Sequence, residues 1–174
     1  MEKSGVKYEA IVHRTVFTAF DKAATMRVKT AAIAKVLVLK ADKDLIMAVV
    51  GGDKNLDIDK LQKMAKAKKI DFAKEKAIGE VFKGIDPGAV PPFSGLWSMK
   101  LFCDKKILES PKLILSAGSY ETSLKMAPGA FKKLNAEIVI GNFSKAKDKK
   151  AKSKLKPKTG KTSKKGSALK KKKK

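Results

Sequence analysis

The chain has 174 residues, is 43% hydrophobic and sets 41 basic against 17 acidic side chains, a formal net charge of +24. Such a chain suits one folded domain plus a tail, and the charge favours a polyanionic partner, nucleic acid ahead of membrane, because no basic amphipathic helix or lipidation motif accompanies the lysines. A single cysteine excludes an internal disulfide, and the lack of an apolar leader or of an apolar run of about 18 residues leads to the expectation of a cytoplasmic protein with no membrane partner.

The charge is uneven. Residues 144–174 hold 16 lysines against one acid, Asp148, a net +15 that leaves +9 on the first 143 residues. With Leu155 and Leu169 as its only large apolar residues, this segment cannot bury a core and is expected to be a disordered, lysine-rich tail on a domain spanning 1–143. Its lysines, among them Lys156, Lys158, Lys161, Lys164 and Lys165, are candidate phosphate contacts, or else a solubilising extension.

Along the chain, Tyr8 to Val12 reads as a strand. Thr18 and Asp21 have the spacing of a capping box at the start of a helix. Two β-branched apolar runs follow, Ile33 to Leu39 and Leu45 to Val50, separated by the polar turn Lys40 to Asp44. They predict a hairpin that ends at Gly51-Gly52. Asp57 opens a helix over Ile58 to Ala67, with Ile58, Leu61, Met64 and Ala65 at helical spacing. Asp71 caps a second helix over Phe72 to Phe82. A stiff loop rich in proline and glycine runs from Gly84 to Phe93. Beyond it, Met99 to Cys103, Leu113 to Leu115 and Ser123 to Met126 read as strands, Pro128 to Leu134 as a helix entered by proline, and Ala136 to Ile140 as the last strand. Cys103 falls in a strand as a small core residue. The mixture lacks regular βαβ alternation or a long repeat, which predicts a compact α+β domain around a mixed β-sheet core with surrounding helices.

Several chemistries have no residues to support them. His13 is the only histidine, and no HxxxH, CxxC or spaced carboxylate cluster suggests a metal. There is no GxSxG nucleophile elbow, no Walker A loop after Gly51-Gly52, and no redox-cofactor fingerprint. An enzyme built from this chain is expected to need neither cofactor nor metal.

Three features stand out as candidates. Lys35 interrupts an apolar strand, sharing a face with Ile33, Leu37 and Leu39, and must reach an anion or snorkel outward. Gly88-Ala89-Val90-Pro91-Pro92 places a flexible residue ahead of two rigid ones. Ser116-Ala117-Gly118-Ser119 puts small residues after an apolar run. Each also has a plain structural reading, as a strand-end lysine, a connector and a strand-ending turn. In this order they resemble the YbaK/prolyl-tRNA synthetase editing-domain family, across residues 5 to 143.

The resemblance implies roles. Lys35 matches the family's lysine that binds the 3′-terminal adenosine and its phosphate, although Val36 stands where many members have threonine. Gly88 and Pro92 match a GxxxP loop lining the aminoacyl pocket, with Gly88 against the ester carbonyl and Pro92 stiffening the loop. Ser116 would contact substrate and Gly118 would give room to the terminal ribose; Tyr120 and Glu121 replace the family's usual basic residue. His13 and Thr18 match the early histidine and threonine of the pattern, and Trp97 is either a base-stacking residue or a core tryptophan. The implied activity is a freestanding deacylase acting in trans on mischarged tRNA, with tRNA for proline carrying alanine or cysteine as family precedent and a monomer favoured. A non-catalytic tRNA- or rRNA-binding module of the same fold is the alternative.

Overall fold

The computed structural model describes residues 5–147. Among them the chain forms ten strands and four α-helices in the order β1 (Tyr8–Val12), α1 (Ala19–Thr25), β2 (Ala34–Ala41), β3 (Asp44–Gly51), β4 (Lys54–Leu56), α2 (Ile58–Ala65), β5 (Ile70–Phe72), α3 (Glu75–Val81), β6 (Lys100–Asp104), β7 (Leu113–Ser116), β8 (Thr122–Met126), α4 (Pro128–Leu134), β9 (Val139–Gly141) and β10 (Ser144–Ala146). The α+β class is as the sequence predicts. No helix among the described residues is long and apolar enough to cross a membrane.

The strands form a five-stranded mixed sheet, β5-β2-β3-β6-β9, a three-stranded antiparallel sheet, β1-β8-β7, and the small pair β10-β4. A parallel bridge between Ile33 and Ile114 ties the two larger sheets together. Alternation along β2 and β3 feeds two cores. Ala34, Val38, Met47 and Val49 face one, with Leu113, Leu115, Leu124, Met126 and Phe131; Leu39, Ile46, Ala48 and Val50 face the other, with Leu61, Phe102 and Phe143. This sheet is buried on both faces, which is why its two central runs are nearly all apolar. Cys103 is fully buried, and desolvation, with the nearby Asp104 charge, pushes its thiol up to about 12.

Local signals mark many boundaries. Thr18 caps α1, its hydroxyl accepting from the Asp21 N–H at 3.1 Å, and Asp57 caps α2. Pro128 enters α4. The hairpin turn is tighter than expected, only Asp42-Lys43, with Asp42 at φ +53°. Helix α2 stops at Ala65 because Lys66 turns left-handed at φ +53°.

Three expectations need correction. The predicted helix over Phe72 to Phe82 begins later, at Glu75. Residues 70–72 pair with β2 instead (Leu39 with Phe72, Ala41 with Ile70), which buries Ile70 in the second core, and Asp71 pairs with Lys69 rather than capping a helix. The last predicted strand shifts to Val139–Gly141, where a parallel register with β6 sets its position. The domain does not end at residue 143. Ser144–Ala146 pair with β4, and the buried Asp104 carboxylate accepts from the Phe143 and Ser144 N–H groups, each at 2.7 Å. The tail lysines Lys156, Lys158, Lys161, Lys164 and Lys165 lie outside the described residues.

Candidate active site

Strand β5 pairs only with the C-terminal part of β2, so Ala34 to Leu37 have no partner strand on that side among the described residues. Alternate residues of a strand point their N–H and C=O the same way, and the Val38 carbonyl is taken on that side by the Ala73 N–H. Val36 therefore turns its backbone polar groups toward the open edge. A cavity of about 350 Å³ occupies it, walled by residues 16–20 and 22, Ile33 to Leu37, Gly88-Ala89, Ser116, Tyr120 and Lys147.

Of the residues singled out from sequence, Lys35, Gly88, Ser116 and Thr18 meet at this cavity; Pro92, Gly118 and His13 do not line it. Lys35 is half-buried, and its Nζ donates to the Lys54 carbonyl at 2.9 Å. Burial lowers its pKa, and the Lys147 charge lowers it further against an opposing pull from Asp53. Pro92 is buried behind the loop. His13 bridges the Arg14 carbonyl and the Ser123 hydroxyl, both at 2.8 Å, away from the cavity. Trp97 packs edge-on against Phe82, centroids 4.8 Å apart, on the first core.

Gly118 acts one step removed. At φ +103° its N–H donates to the Ala89 carbonyl and its carbonyl accepts from the Asp86 N–H. Asp86 in turn accepts from the Tyr120 N–H at 3.0 Å, and the Tyr120 hydroxyl donates to the Pro87 carbonyl. These bonds zip loop 86–89 to loop 117–120 and hold Gly88 at φ +85° on the cavity wall. A Cβ built on Gly88 would meet no atom within 4 Å, so glycine is required there by conformation rather than by crowding.

Two lysines escaped the sequence reading. Lys22 is only 7% exposed, and its Nζ donates to the Ser116 hydroxyl at 3.0 Å. It forms no ion pair with a described residue, and burial lowers its pKa. A signal existed: Ala19, Lys22 and Ala23 share one face of α1, the face that packs inward. Lys147 donates to the Gly52 carbonyl at 2.6 Å and sits 4.2 Å above the centre of the Phe20 ring. It was hidden because its position depends on β10 pairing with β4. Among the described residues the lining thus includes three lysines and no acid.

The sequence matches the family model of the aminoacyl-tRNA editing domain over residues 13–134. The chain belongs to that family. The matched span stops short of β10, so Lys147 lies beyond it. No curated protein matches the sequence. Among solved structures, the editing-domain chain is similar to the hypothetical protein APE2540 (TM-score 0.75, 21% identity, 83% of this chain and 95% of that one). It is also similar to a candidate trans-editing enzyme for prolyl-tRNA synthetase (TM-score 0.72, 20% identity, 83% and 92% covered). At these identities the likeness shows the fold.

Proposed function

We propose that this cavity hydrolyses the ester of a mischarged aminoacyl-tRNA in trans, with tRNA for proline carrying alanine or cysteine as the first substrates to examine. The observation that carries the reading is a cavity walled by three lysines and a glycine loop, with no acid among its described lining residues, in a chain of the editing family. The neighbour described in terms of prolyl-tRNA synthetase supports the choice of tRNA.

In this reading each group has one task. Lys35 holds the 3′-terminal phosphate as a compact point charge; its neutral partner in the free protein, the Lys54 carbonyl, is a weaker acceptor that a phosphate displaces. The Gly88 loop and Val36 offer backbone groups to the aminoacyl ester. Lys22, aimed by Ser116, supplies positive charge toward the oxyanion that forms when water adds to the carbonyl carbon. The bond from that carbon to the ribose oxygen then breaks, and the ribose oxygen leaves with a proton from the added water. These tasks fall to ammonium and backbone groups, so the reading is metal-independent.

Thr18 serves as the α1 cap that fixes Phe17 and Phe20 at the mouth. His13 and Pro92 brace the surrounding segments. Residues 148–174, outside the described fold, add phosphate contacts without base specificity. Lys35→Ala is the test. Initial rates with purified tRNAs charged with alanine, cysteine, serine and threonine should fall to background for the variant while its circular dichroism is unchanged. Near-normal turnover would remove Lys35 from the site. Tight binding without hydrolysis by the unaltered protein across the panel would favour the non-catalytic module.

A further inference from the structure

Two exposed phenylalanine side chains stand at the cavity mouth. Phe17 is 72% exposed and Phe20 is 48% exposed, and both line the cavity. Tyr120 meets Phe17 edge-on, with centroids 4.7 Å apart and ring planes at 66°. Keeping two phenylalanine rings in water is unfavourable unless something covers them. The rings are also mounted on fixed backbone. The Val16 N–H donates to the Tyr120 carbonyl at 3.1 Å, the His13 N–H to the Glu121 carbonyl at 2.8 Å, and Thr18 caps the helix that carries Phe20.

We infer that Phe17 and Phe20, with Tyr120 as the edge support of Phe17, form a stacking platform for the unpaired base at the 3′ end of the tRNA. This deepens the function proposed above and rests on it for the identity of the ligand. The chemistry leads there directly. If the ester lies inside the cavity, the base carried by the same ribose must lie at its mouth, and the mouth offers flat apolar rings beside cations. Aromatic faces accept any base; Lys147 covers one face of the Phe20 ring, which leaves the opposite face to a base, and its ammonium supplies charge for the adjoining phosphate. The arrangement is that of a single-strand binder, in which rings hold bases and lysines hold the backbone. A protein partner would also cover apolar rings, but it gives no reason for three lysines with no acid among the described residues of the lining.

The test uses a short single-stranded RNA whose 3′-terminal adenosine is replaced by 2-aminopurine, a base whose fluorescence is quenched on stacking. The RNA carries no ester, so the result does not depend on hydrolysis. The unaltered protein should quench the fluorophore. Phe17→Ala and Phe20→Ala should lose the quench and weaken binding by at least about fivefold, the low end of one stacked base. Phe17→Leu keeps apolar area without a π face and should also lose the quench, whereas Phe17→Trp should retain it. An oligonucleotide lacking the terminal base should bind all of these proteins alike.

Quenching that survives in both alanine variants would overturn the platform. So would an absence of quench in the unaltered protein together with self-association, seen by sedimentation, that the alanine variants abolish; the rings would then join two copies of the chain. A quenched, tightly bound RNA in a protein that hydrolyses no charged tRNA would leave the platform standing and refute the deacylase reading.

Discussion

Replacing Lys22 with methionine should make the protein more stable and less active at once. Lys22 is 7% exposed, and its ammonium has one protein partner, the Ser116 hydroxyl at 3.0 Å, with no ion pair among the described residues. Burying a charge this way costs desolvation that one neutral hydrogen bond does not offset. Methionine matches its length and bulk, so the substitution removes the charge without opening a void. A gain of about 0.5–2 kcal/mol is expected, or roughly 4 °C in Tm per kcal/mol for a domain of this size. The gain also has a pH signature. The folded-state pKa of Lys22 is lowered by burial, so below that lowered value both states hold the proton and the penalty is present in full. Between the folded-state pKa and the ordinary lysine value the unfolded chain binds more protons, so the unaltered protein gains stability as pH rises and the advantage of Lys22→Met shrinks. Urea melts of both proteins at neutral pH and at several alkaline values measure this difference. If Lys22 serves the oxyanion, kcat should fall by about 100-fold or more while tRNA affinity changes little. A variant less stable at neutral pH, with a gap that does not change on the alkaline side, would refute the reasoning, because the ammonium would then be held by a favourable interaction.

Gly88→Ala meets no atom within 4 Å, so only the φ of +85° resists it; a loss of about 1–2 kcal/mol in thermal melts is expected, with a larger loss in kcat/KM if this backbone lies against the ester. Asp104→Ala strips the acceptor from the Phe143 and Ser144 N–H groups and should cost about 2–4 kcal/mol in urea melts; the displaced β10 should also carry Lys147 off the Phe20 ring and raise KM for tRNA. Removing residues 148–174 takes away 14 lysines and Asp148, a net +13, and leaves β10 in place. The truncated protein should bind tRNA more weakly, its log affinity falling less steeply with log salt by about 0.7–0.9 for each phosphate that is no longer neutralised, with an unchanged single-turnover rate at saturating tRNA.

How much of this was legible follows from the range of the forces involved. The cap at Thr18, the proline entry to α4 and the apolar runs of β2 and β3 are written in neighbouring residues, and the structure follows them. The order of Lys35, Gly88 and Ser116 along the chain was likewise enough to suggest the family and to nominate residues that meet in one cavity. Pairing between distant segments was not readable in this way. Residues 70–72 have the spacing to begin a helix, but a ladder to β2 and the burial of Ile70 outweigh that local preference. Ser144 to Lys147 look like the start of a charged tail until the Asp104 carboxylate, forty residues earlier, takes the Phe143 and Ser144 N–H groups and fixes this segment against β4. Lys22 reads as a surface lysine on a short helix until the packing of α1 turns its face inward onto Ser116, 94 residues away. Local pattern and composition were therefore enough for the fold class, the two central strands and the residue types available for chemistry. Which lysines share a cavity with no acid among its described lining residues, and which aromatic rings stay exposed at its mouth, follow only from the folded chain, because burial and the approach of distant segments are properties of the assembled sheets.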